Sequence, residues 1–338
     1  MGMSGQVGAL LGVECSVTGM RWRDRVADHR SAIAISQRLA VPEVVGRLLA
    51  ARGVGAEGAE RFLDPKLREL MPDPSSLMDM DRAAARVARA IFKDEQIAVF
   101  GDYDVDGATA SALLRSYLSK LGVNIEVYIP DRIREGYGPT ATAFESLREN
   151  GADVVVTVDC GTTAHDALGR AEDIGLDVII LDHHMAGPAL PRCVALVNPN
   201  RLDDDSRQGS LAAVGVTYLL IVALNRSLRE ADFFTNKAEP NLVALLDLVA
   251  LGTVCDVVPL TGLNRALVRQ GLKVLARRDN RGLAALADVA ARQTGPDRDD
   301  AGPVGRTGGA GPEGGRRLPG QPRLAARLAP GRGAALRS

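Results

Sequence analysis

The sequence predicts an α/β fold in which helices cover both faces of a parallel β-sheet. Three observations predict it. Short runs rich in valine and isoleucine recur between residues 97 and 181, helix-length segments separate these runs, and each run is almost continuously apolar. A strand with one face in water would alternate apolar and polar side chains, so continuous runs indicate strands that are buried on both faces.

The elements follow one another in a regular order. The predicted strands are Ile97–Phe100, Ile125–Ile129, Asp153–Val158 and Val178–Leu181. The predicted helices are Asp81–Lys93 before the first strand, Ala108–Leu121 after it, and later Leu211–Leu228, Asn241–Leu251 and Ala266–Arg277. Strands that alternate with helices in this way indicate a parallel sheet.

Three regions differ in composition. Residues 1–80 predict a small helical region, with short helices between Ala32 and Leu63, and residues 81–290 predict the α/β domain. Residues 291–338 hold eleven Gly, nine Arg and six Pro but no aromatic residue. This tail buries too little apolar surface to offset its chain entropy and is expected to be disordered. Reading a GC-rich coding sequence out of frame gives the same mixture, and we favour that interpretation of the tail.

Charge and cysteine usage exclude several classes of protein. The formal net charge of -1 includes a basic tail, in which nine Arg outnumber four carboxylates, so the rest of the chain is acidic and has no global nucleic-acid-binding signature. The four cysteines form no C-x-x-C pair, which suits a reducing compartment. No signal peptide is indicated, and the longest apolar runs are too short to span a bilayer. A cytoplasmic protein without membrane association is predicted.

Acidic residues follow three of the predicted strands directly. Asp102, Asp104 and Asp106 come after the first strand, Asp159 after the third, and Asp182-His183-His184 after the fourth. The carboxyl ends of parallel strands meet at one edge of a sheet, where ligands bind in such folds. These carboxylates would repel one another unless cations lay between them. Oxygen ligands with imidazole and no thiolate suit Mn²⁺ or Mg²⁺ better than structural zinc.

A further carboxylate stands in an apolar stretch. Asp256 lies in Gly252-Thr253-Val254-Cys255-Asp256-Val257-Val258-Pro259, just after a predicted helix. A lone buried carboxylate is costly, so Asp256 needs a partner such as a metal ion.

Two other interpretations account for the first acidic loop alone. Asp102-x-Asp104-x-Asp106-Gly107 matches the start of an EF-hand loop, but its twelfth position is Leu113, where that loop needs Glu, and a strand precedes it. Asp106 could instead be only the N-cap of the helix that begins at Ala108. Neither interpretation explains acidic residues at three strand ends together with two adjacent histidines.

The loop Pro130–Gly138 is a weaker candidate for substrate binding. It follows a predicted strand and offers two Arg, a Tyr and flexible backbone, which could contact a phosphate and a base. We assign Arg132 to substrate binding, although the stretch could equally be a solvated loop. Asn198-Pro199-Asn200 and Gly209–Gly215 are expected to shape a turn and a helix start.

These motifs together resemble the DHH phosphoesterase superfamily, which is named for the Asp-His-His found here as Asp182-His183-His184. Within it the chain resembles the RecJ family of exonucleases, from about Arg21 to about Val289. The stretches that carry this resemblance are Gly101–Gly107, Arg134–Gly138 and Gly252–Leu260. Relatives that cleave short oligonucleotides or pyrophosphate usually have His four residues before Asp104, where this chain has Phe100.

The resemblance implies a role for each site residue. Two Mn²⁺ or Mg²⁺ ions would be held by Asp104, Asp106, Asp159, His183 and Asp256, with Asp159 bridging them. Asp102 would be a further ligand or would hold a ligand in place. Asp182 would orient an imidazole, and His184 would face the scissile phosphate and bind substrate together with Arg132.

The resemblance also implies an activity and partners. RecJ proteins remove nucleotides from single-stranded DNA in the 5′-to-3′ direction during recombination and repair, so single-stranded DNA, a single-stranded-DNA-binding protein and a repair helicase are the expected partners. Family members continue into a second domain that carries a Gly-rich, Arg-containing motif, and no such motif follows residue 290 in frame. We therefore expect impaired exonuclease activity. A non-catalytic truncated product or scaffold, or a phosphodiesterase of short oligonucleotides, remain the alternatives.

Overall fold

The fold is that of a computed structural model, which describes residues 9, 12–23 and 29–293. Its centre is a sheet of five parallel strands in the order β2-β1-β3-β4-β5. The strands are β1 (Ile97–Gly101), β2 (Ile125–Tyr128), β3 (Val154–Val158), β4 (Asp177–Leu181) and β5 (Ala195–Val197). The predicted α/β class with a parallel sheet is confirmed.

The described residues form twelve α-helices in addition to the sheet. Before β1 lie α1 (His29–Leu39), α2 (Glu43–Ala50), α3 (Ala59–Leu63), α4 (Leu67–Leu70) and α5 (Met80–Lys93). Between the strands lie α6 (Val105–Lys120), α7 (Ala141–Glu149) and α8 (His165–Asp173). After β5 come α9 (Ala213–Glu230), α10 (Leu246–Cys255), α11 (Gly262–Leu275) and α12 (Arg281–Gln293).

Alternate residues of each strand pack on opposite faces of the sheet. Phe100 of β1 and Ile180 of β4 join Phe144 of α7 and Leu168 of α8 in one buried apolar cluster. Phe100 stacks on the ring of Tyr128, with centroids 5.4 Å apart. On the other face α6 lies against β1, and α9 lies against β3 and β4. Because both faces are covered, the strands are almost continuously apolar, with exceptions such as Glu126 in the edge strand β2 and the buried Thr157 in β3.

The described chain separates into two compact units. One comprises the described residues up to Met71 together with Leu260–Ala266, and its core is Ile35, Leu49 and Ala59. The other comprises Pro72–Pro259 and the described residues from Leu267 onward, and it contains the sheet. The division predicted after residue 80 stays a prediction, although the break between compact units falls at Met71.

Several predicted boundaries are wrong for identifiable reasons. Helix α6 begins at Val105 instead of Ala108, because Asp104 rather than Asp106 accepts the hydrogen bond that caps it, from Gly107 N at 3.0 Å. Strand β5 was missed because it is only three residues long. Helix α12 runs to Gln293, past the predicted start of the tail at Ala291, and residues 294–338 lie outside the described part of the chain. No helix in the described part combines the length and the apolar character that crossing a bilayer requires.

A packing test follows from Gly252 in α10. A Cβ added there would lie 2.2 Å from Thr109 Oγ1 of α6 and 2.8 Å from Val214 Cγ1 of α9. Gly252→Ala should therefore overpack this junction and lower the free energy of unfolding by about 1–3 kcal/mol, as measured by urea denaturation.

Gly282 in α12 is the matched control. A Cβ there would meet only Asn280 Oδ1 at 3.5 Å. Gly282→Ala should leave stability unchanged or raise it by up to about 1 kcal/mol, because alanine favours the helix. Equal stability of the two variants would contradict the close packing of α10 on α6 and α9.

Candidate metal centre

The residues that follow β1, β3 and β4 remain in the hydrogen-bond ladder of the sheet. Asp102 N donates to Val158 O at 3.2 Å, Asp159 N donates to Leu181 O at 2.9 Å, and Asp182 N donates to Val197 O at 3.1 Å. Each acidic residue is thus fixed one step beyond its strand, and the three leave the same edge of the sheet side by side. The acidic residues therefore meet at the carboxyl edge of the sheet, where the sequence predicted them.

His183 lies at the centre of the cluster that forms there. Its Nε2 is 3.2 Å from Asp159 Oδ1 and 3.9 Å from Asp106 Oδ2, and its Nδ1 is 3.8 Å from Asp256 Oδ2. Four separate segments of the chain therefore converge within about one coordination sphere.

The ligand atoms fall into three overlapping groups. Each group has its atoms within 4.8 Å of one another, and the groups are Asp159 with His183 and His184, Asp106 with His183 and Asp256, and Asp102 with Asp104 and Asp159. Asp159 and His183 each belong to two groups. All six residues predicted to hold metal are brought together.

The hydrogen bonding of three carboxylate oxygens indicates whether the cluster suits a cation. Asp102 Oδ1, Asp159 Oδ1 and Asp256 Oδ2 are buried and have no hydrogen-bond partner among the described residues. A buried, unpaired carboxylate oxygen is expensive, and a divalent cation is the ligand that relieves several of them at once. The donor set of oxygens with imidazole nitrogen fits Mn²⁺ or Mg²⁺.

Asp106 is held by the N-terminus of α9. Its Oδ2 accepts from Ala213 N at 2.6 Å, and its Oδ1 accepts from Val214 N at 2.9 Å. Free N–H groups and the helix dipole favour a negative charge at that point. The stretch Gly209–Gly215, for which the sequence predicts a helix start but no role at the site, thus leads into a helix N-terminus that orients a candidate ligand.

Two non-glycine residues at the cluster have left-handed backbone. Asp159 has φ 63° and Val257, directly after Asp256, has φ 64°. Aspartate tolerates this conformation, whereas it is strained for a β-branched residue and costs about 1–3 kcal/mol. The strain at Val257 falls where the chain turns sharply after α10 and leaves Asp256 at the helix end.

Asp182 organises the Asp-His-His segment. Its Oδ1 accepts from the backbone N of His183 at 2.7 Å and is 2.7 Å from Nδ1 of His184, and its Oδ2 accepts from Thr162 N at 3.1 Å. The imidazole that it contacts is therefore that of His184. Burial raises the pKa of Asp182, but the hydrogen bonds from His184 and Thr162 outweigh this and hold it below its ordinary value.

Asn198 and Asn200 hold the backbone of both histidines. The sequence did not predict this role. Asn198 Nδ2 donates to His184 O at 2.8 Å, and Asn200 Nδ2 donates to His183 O at 2.5 Å. Both follow β5. The Asn-Pro-Asn pattern was visible in the sequence, but without β5 nothing placed it at the edge of the sheet.

Arg132 lies beside the cluster and not in it. Its guanidinium carbon is 5.1 Å from the centroid of the Tyr103 ring, at the distance of a cation–π contact. Tyr103 packs edge to face on Tyr137, which in turn packs on His184. The loop therefore reaches the site through aromatic rings.

Burial and mutual repulsion make the carboxylates of the cluster hard to ionise together. Burial, and then the charge of Asp256, raises the pKa of Asp106 to about 6, although hydrogen bonds from Val214 and Ala213 oppose the shift. Burial, and then the charges of Asp106 and Asp104, raises the pKa of Asp159 further still. The pKa values of Asp102 and Asp256 are also raised, mainly by burial. Such a cluster is costly to keep charged without counter-ions.

A parallel sheet with acidic and imidazole side chains clustered at its carboxyl edge is the arrangement that the Asp-His-His resemblance implied, and comparison with known proteins agrees. Residues 96–253 match the family described as DHH family, N-terminal domain. The resemblance seen in the motifs is thereby confirmed: this part of the chain is similar to a DHH-family N-terminal domain.

The relatives with the same domain are RecJ exonucleases. The chain is 38% identical to the single-stranded-DNA-specific exonuclease RecJ of Bacillus subtilis over 268 residues, which cover 79% of this chain and 32% of that protein. It is 39% identical to Escherichia coli RecJ over 256 residues, which cover 75% of this chain and 44% of that protein. The chain thus spans less than half the length of these curated relatives.

Solved structures give the same result. The crystal structure of Thermus thermophilus RecJ in complex with Mn²⁺ matches with a TM-score of 0.63 and 31% identity, over 78% of this chain and 36% of that chain. A crystal structure of exonuclease RecJ bound to manganese matches with a TM-score of 0.57 and 35% identity, over 65% of this chain and 53% of that chain.

A dependence of stability on pH follows from the raised pKa values. A carboxyl group whose pKa is higher in the folded protein than in the unfolded chain binds its proton more tightly when folded, so its contribution favours folding at low pH and is lost as pH rises. Without metal, the free energy of unfolding should therefore fall between pH 4 and pH 6, where the unfolded chain has lost the Asp106 proton that the folded protein still holds. Asp182 is already ionised in this interval.

Urea denaturation at several pH values, in the presence of a chelator, measures the slope of the free energy of unfolding against pH. Asp159→Asn should flatten it, because asparagine binds no proton and tolerates the left-handed backbone of position 159. A free energy of unfolding that rises steadily across this interval in the wild type would contradict the buried acidic cluster.

Proposed function

We propose that this chain hydrolyses phosphodiester bonds of single-stranded DNA with two Mn²⁺ or Mg²⁺ ions, in the 5′-to-3′ direction. The observation that carries the proposal is the convergence of two buried carboxylate oxygens, from Asp159 and Asp256, on His183, with Asp102 grouped on Asp159. The relatives named single-stranded-DNA-specific exonucleases support the choice of substrate, and two structures of RecJ solved with manganese support the choice of metal.

The ligands divide between two positions that share Asp159. Asp106, His183 and Asp256 would hold one ion, and Asp102 and Asp104 would hold the other, with Asp159 between them. Such a pair of ions, when bound, polarises a phosphodiester and activates water for in-line attack. The protein contributes a rigid frame, because the sheet ladder or a helix end anchors each carboxylate ligand, and Asp182 and Asn200 hold the backbone of His183.

His184 and Arg132 would bind the substrate. His184 is half exposed at the edge of the cluster, and its hydrogen bond to Asp182 raises its pKa, which favours the cation that a phosphate attracts. Arg132 adds a second positive charge, and its guanidinium lies over the ring of Tyr103. These two groups offset the negative potential of the cluster toward an anionic strand.

On the basis of the resemblance, the proposal also includes a cellular compartment, a process and partner proteins. We place the protein in the cytoplasm, in DNA recombination and repair, with a single-stranded-DNA-binding protein and a repair helicase as partners. The intact ligand set favours this role over a non-catalytic scaffold, since a scaffold would gain nothing from unpaired buried carboxylates. A series of single strands of decreasing length would separate it from a phosphodiesterase of short oligonucleotides.

Metal binding can be measured without any activity. Mn²⁺ should raise the melting temperature of the chelator-treated protein, because an ion that binds only the folded state adds about 2.7 kcal/mol at a hundred times its Kd. Asp159→Asn should abolish this increase, yet melt no lower than the wild type without metal, because it removes repulsion from the cluster.

Asp173→Asn is the matched control for Asp159→Asn, since Asp173 is exposed at the end of α8. It should retain the full increase with Mn²⁺. An increase of wild-type size in Asp159→Asn would overturn the metal centre as proposed.

Hydrolysis is tested with single strands labelled at the 5′ or the 3′ end. Wild-type protein with Mn²⁺ should release label from the 5′ end first, and His183→Ala should reduce the rate at least about 100-fold, because it removes a ligand shared by two groups. His165→Ala, at an exposed histidine that begins α8, should retain the wild-type rate. Equal rates for His183→Ala and the wild type, or Mn²⁺-independent release, would refute the proposal.

A further inference from the structure

The loop between β2 and α7 is fixed by its own side chains. Glu135 Oε1 accepts from Asp131 N at 2.7 Å, and Glu135 Oε2 accepts from the Tyr128 hydroxyl at 2.5 Å. Asp131 Oδ1 in turn accepts from the backbone N of Ile133 and Arg134. The loop is thereby closed on itself and tied to the last residue of β2.

Two glycines then direct one side chain back toward the sheet. Gly136 has φ 83° and Gly138 has φ 78°, and no heavy atom lies within 4 Å of where a Cβ would be. Space therefore does not demand glycine at these positions, whereas the left-handed backbone does. Tyr137 lies between these two glycines, and the bend that they form turns its side chain toward the sheet.

Tyr137 joins the ends of two strands at the site. Its hydroxyl donates to Asp159 O at 3.3 Å and lies 3.4 Å from Nδ1 and 3.5 Å from Nε2 of His184. The two rings are 5.9 Å apart at 74°. One side chain thus contacts both the left-handed turn after β3 and the imidazole after β4.

His184 needs such a contact. Its side chain is 48% exposed and is held by Asp182, at 2.7 Å from Nδ1, and by an edge contact with the His183 ring, whose centroid is 4.7 Å away. One hydrogen bond and one ring contact still leave the exposed side of the imidazole in need of a further support. We propose that Tyr137 is a positioning residue whose hydroxyl fixes the His184 imidazole against the end of β3, an inference that rests on the proposed function.

A different role for Tyr137 would be stacking on a base of the substrate, since the ring is partly exposed. The two roles differ in what the hydroxyl does. Tyr137→Phe keeps the ring and removes the hydroxyl, so stacking would survive and positioning would not. Tyr137→Ala removes both.

The first measurement concerns the ring of His184 in the metal-free protein. The chain contains four histidines, so selective ¹³C labelling and a His184→Gln reference assign the signal of this residue. In the wild type the His184 ring should be as ordered on the ps–ns timescale as that of His183. In Tyr137→Phe its order should fall toward that of the exposed His165. Unchanged order in Tyr137→Phe would overturn the inference, whether or not the protein is active.

The second measurement separates kcat from KM for Mn²⁺-dependent hydrolysis of single-stranded DNA. Tyr137→Phe should lower kcat about 10- to 100-fold, as losses of groups that orient a site residue commonly do, and change KM less than about twofold. An increase in KM at constant kcat would identify a stacking residue and overturn positioning. An inactive wild type would refute the proposed function, while the ring measurement would still decide the contact.

Tyr117→Phe is the matched control. Its hydroxyl donates to Asn225 Oδ1 at 3.1 Å in the buried packing of α6 on α9. Its loss should lower the melting temperature and leave kcat and the order of His184 unchanged. Equal kcat losses in Tyr117→Phe and Tyr137→Phe would show a general loss of structure and overturn the inference.

Discussion

Like charges repel strongly where water is excluded, and several carboxylates lie together at the carboxyl edge of this sheet. Asp102, Asp106 and Asp159 are nearly fully buried, and Asp256 contributes a further buried oxygen. In an interior of low effective dielectric the repulsion is far larger than in water. The arrangement is therefore stable only with protons or cations in it, and the rest of the domain serves to hold these groups against their repulsion.

The supporting contacts come from every element that reaches the edge. The ladder of the sheet fixes Asp102, Asp159 and Asp182, and the N-terminus of α9 neutralises part of the charge of Asp106. Asn198 and Asn200 hold the carbonyls of the two histidines. Each of these bonds restricts a ligand to one geometry, so a bound ion would find its ligands preorganised.

The same contacts connect the cluster to the surface where a strand would approach. Asp182 lies between the buried cluster and His184, and Tyr137 lies between the end of β3 and His184. Arg132 stands beyond them on the ring of Tyr103. Positive and aromatic groups thus lie beside a negatively charged centre, an arrangement that is consistent with the proposed single-stranded substrate.

The sequence by itself determined the α/β class, the four longer strands and the residues of the candidate cluster, because continuous apolar runs and acidic strand ends are local signals. It could not reveal β5, which is too short to form a pattern, and so it left Asn198 and Asn200 without a place. It also left open that Asp106 caps α6, since only the packed structure shows that Asp106 accepts from the N-terminus of α9 and that Asp104 caps α6. Tertiary structure alone decided which groups meet, because contacts such as Asp106 with α9 and Tyr137 with His184 join segments distant in sequence, whose distances depend on how the layers pack.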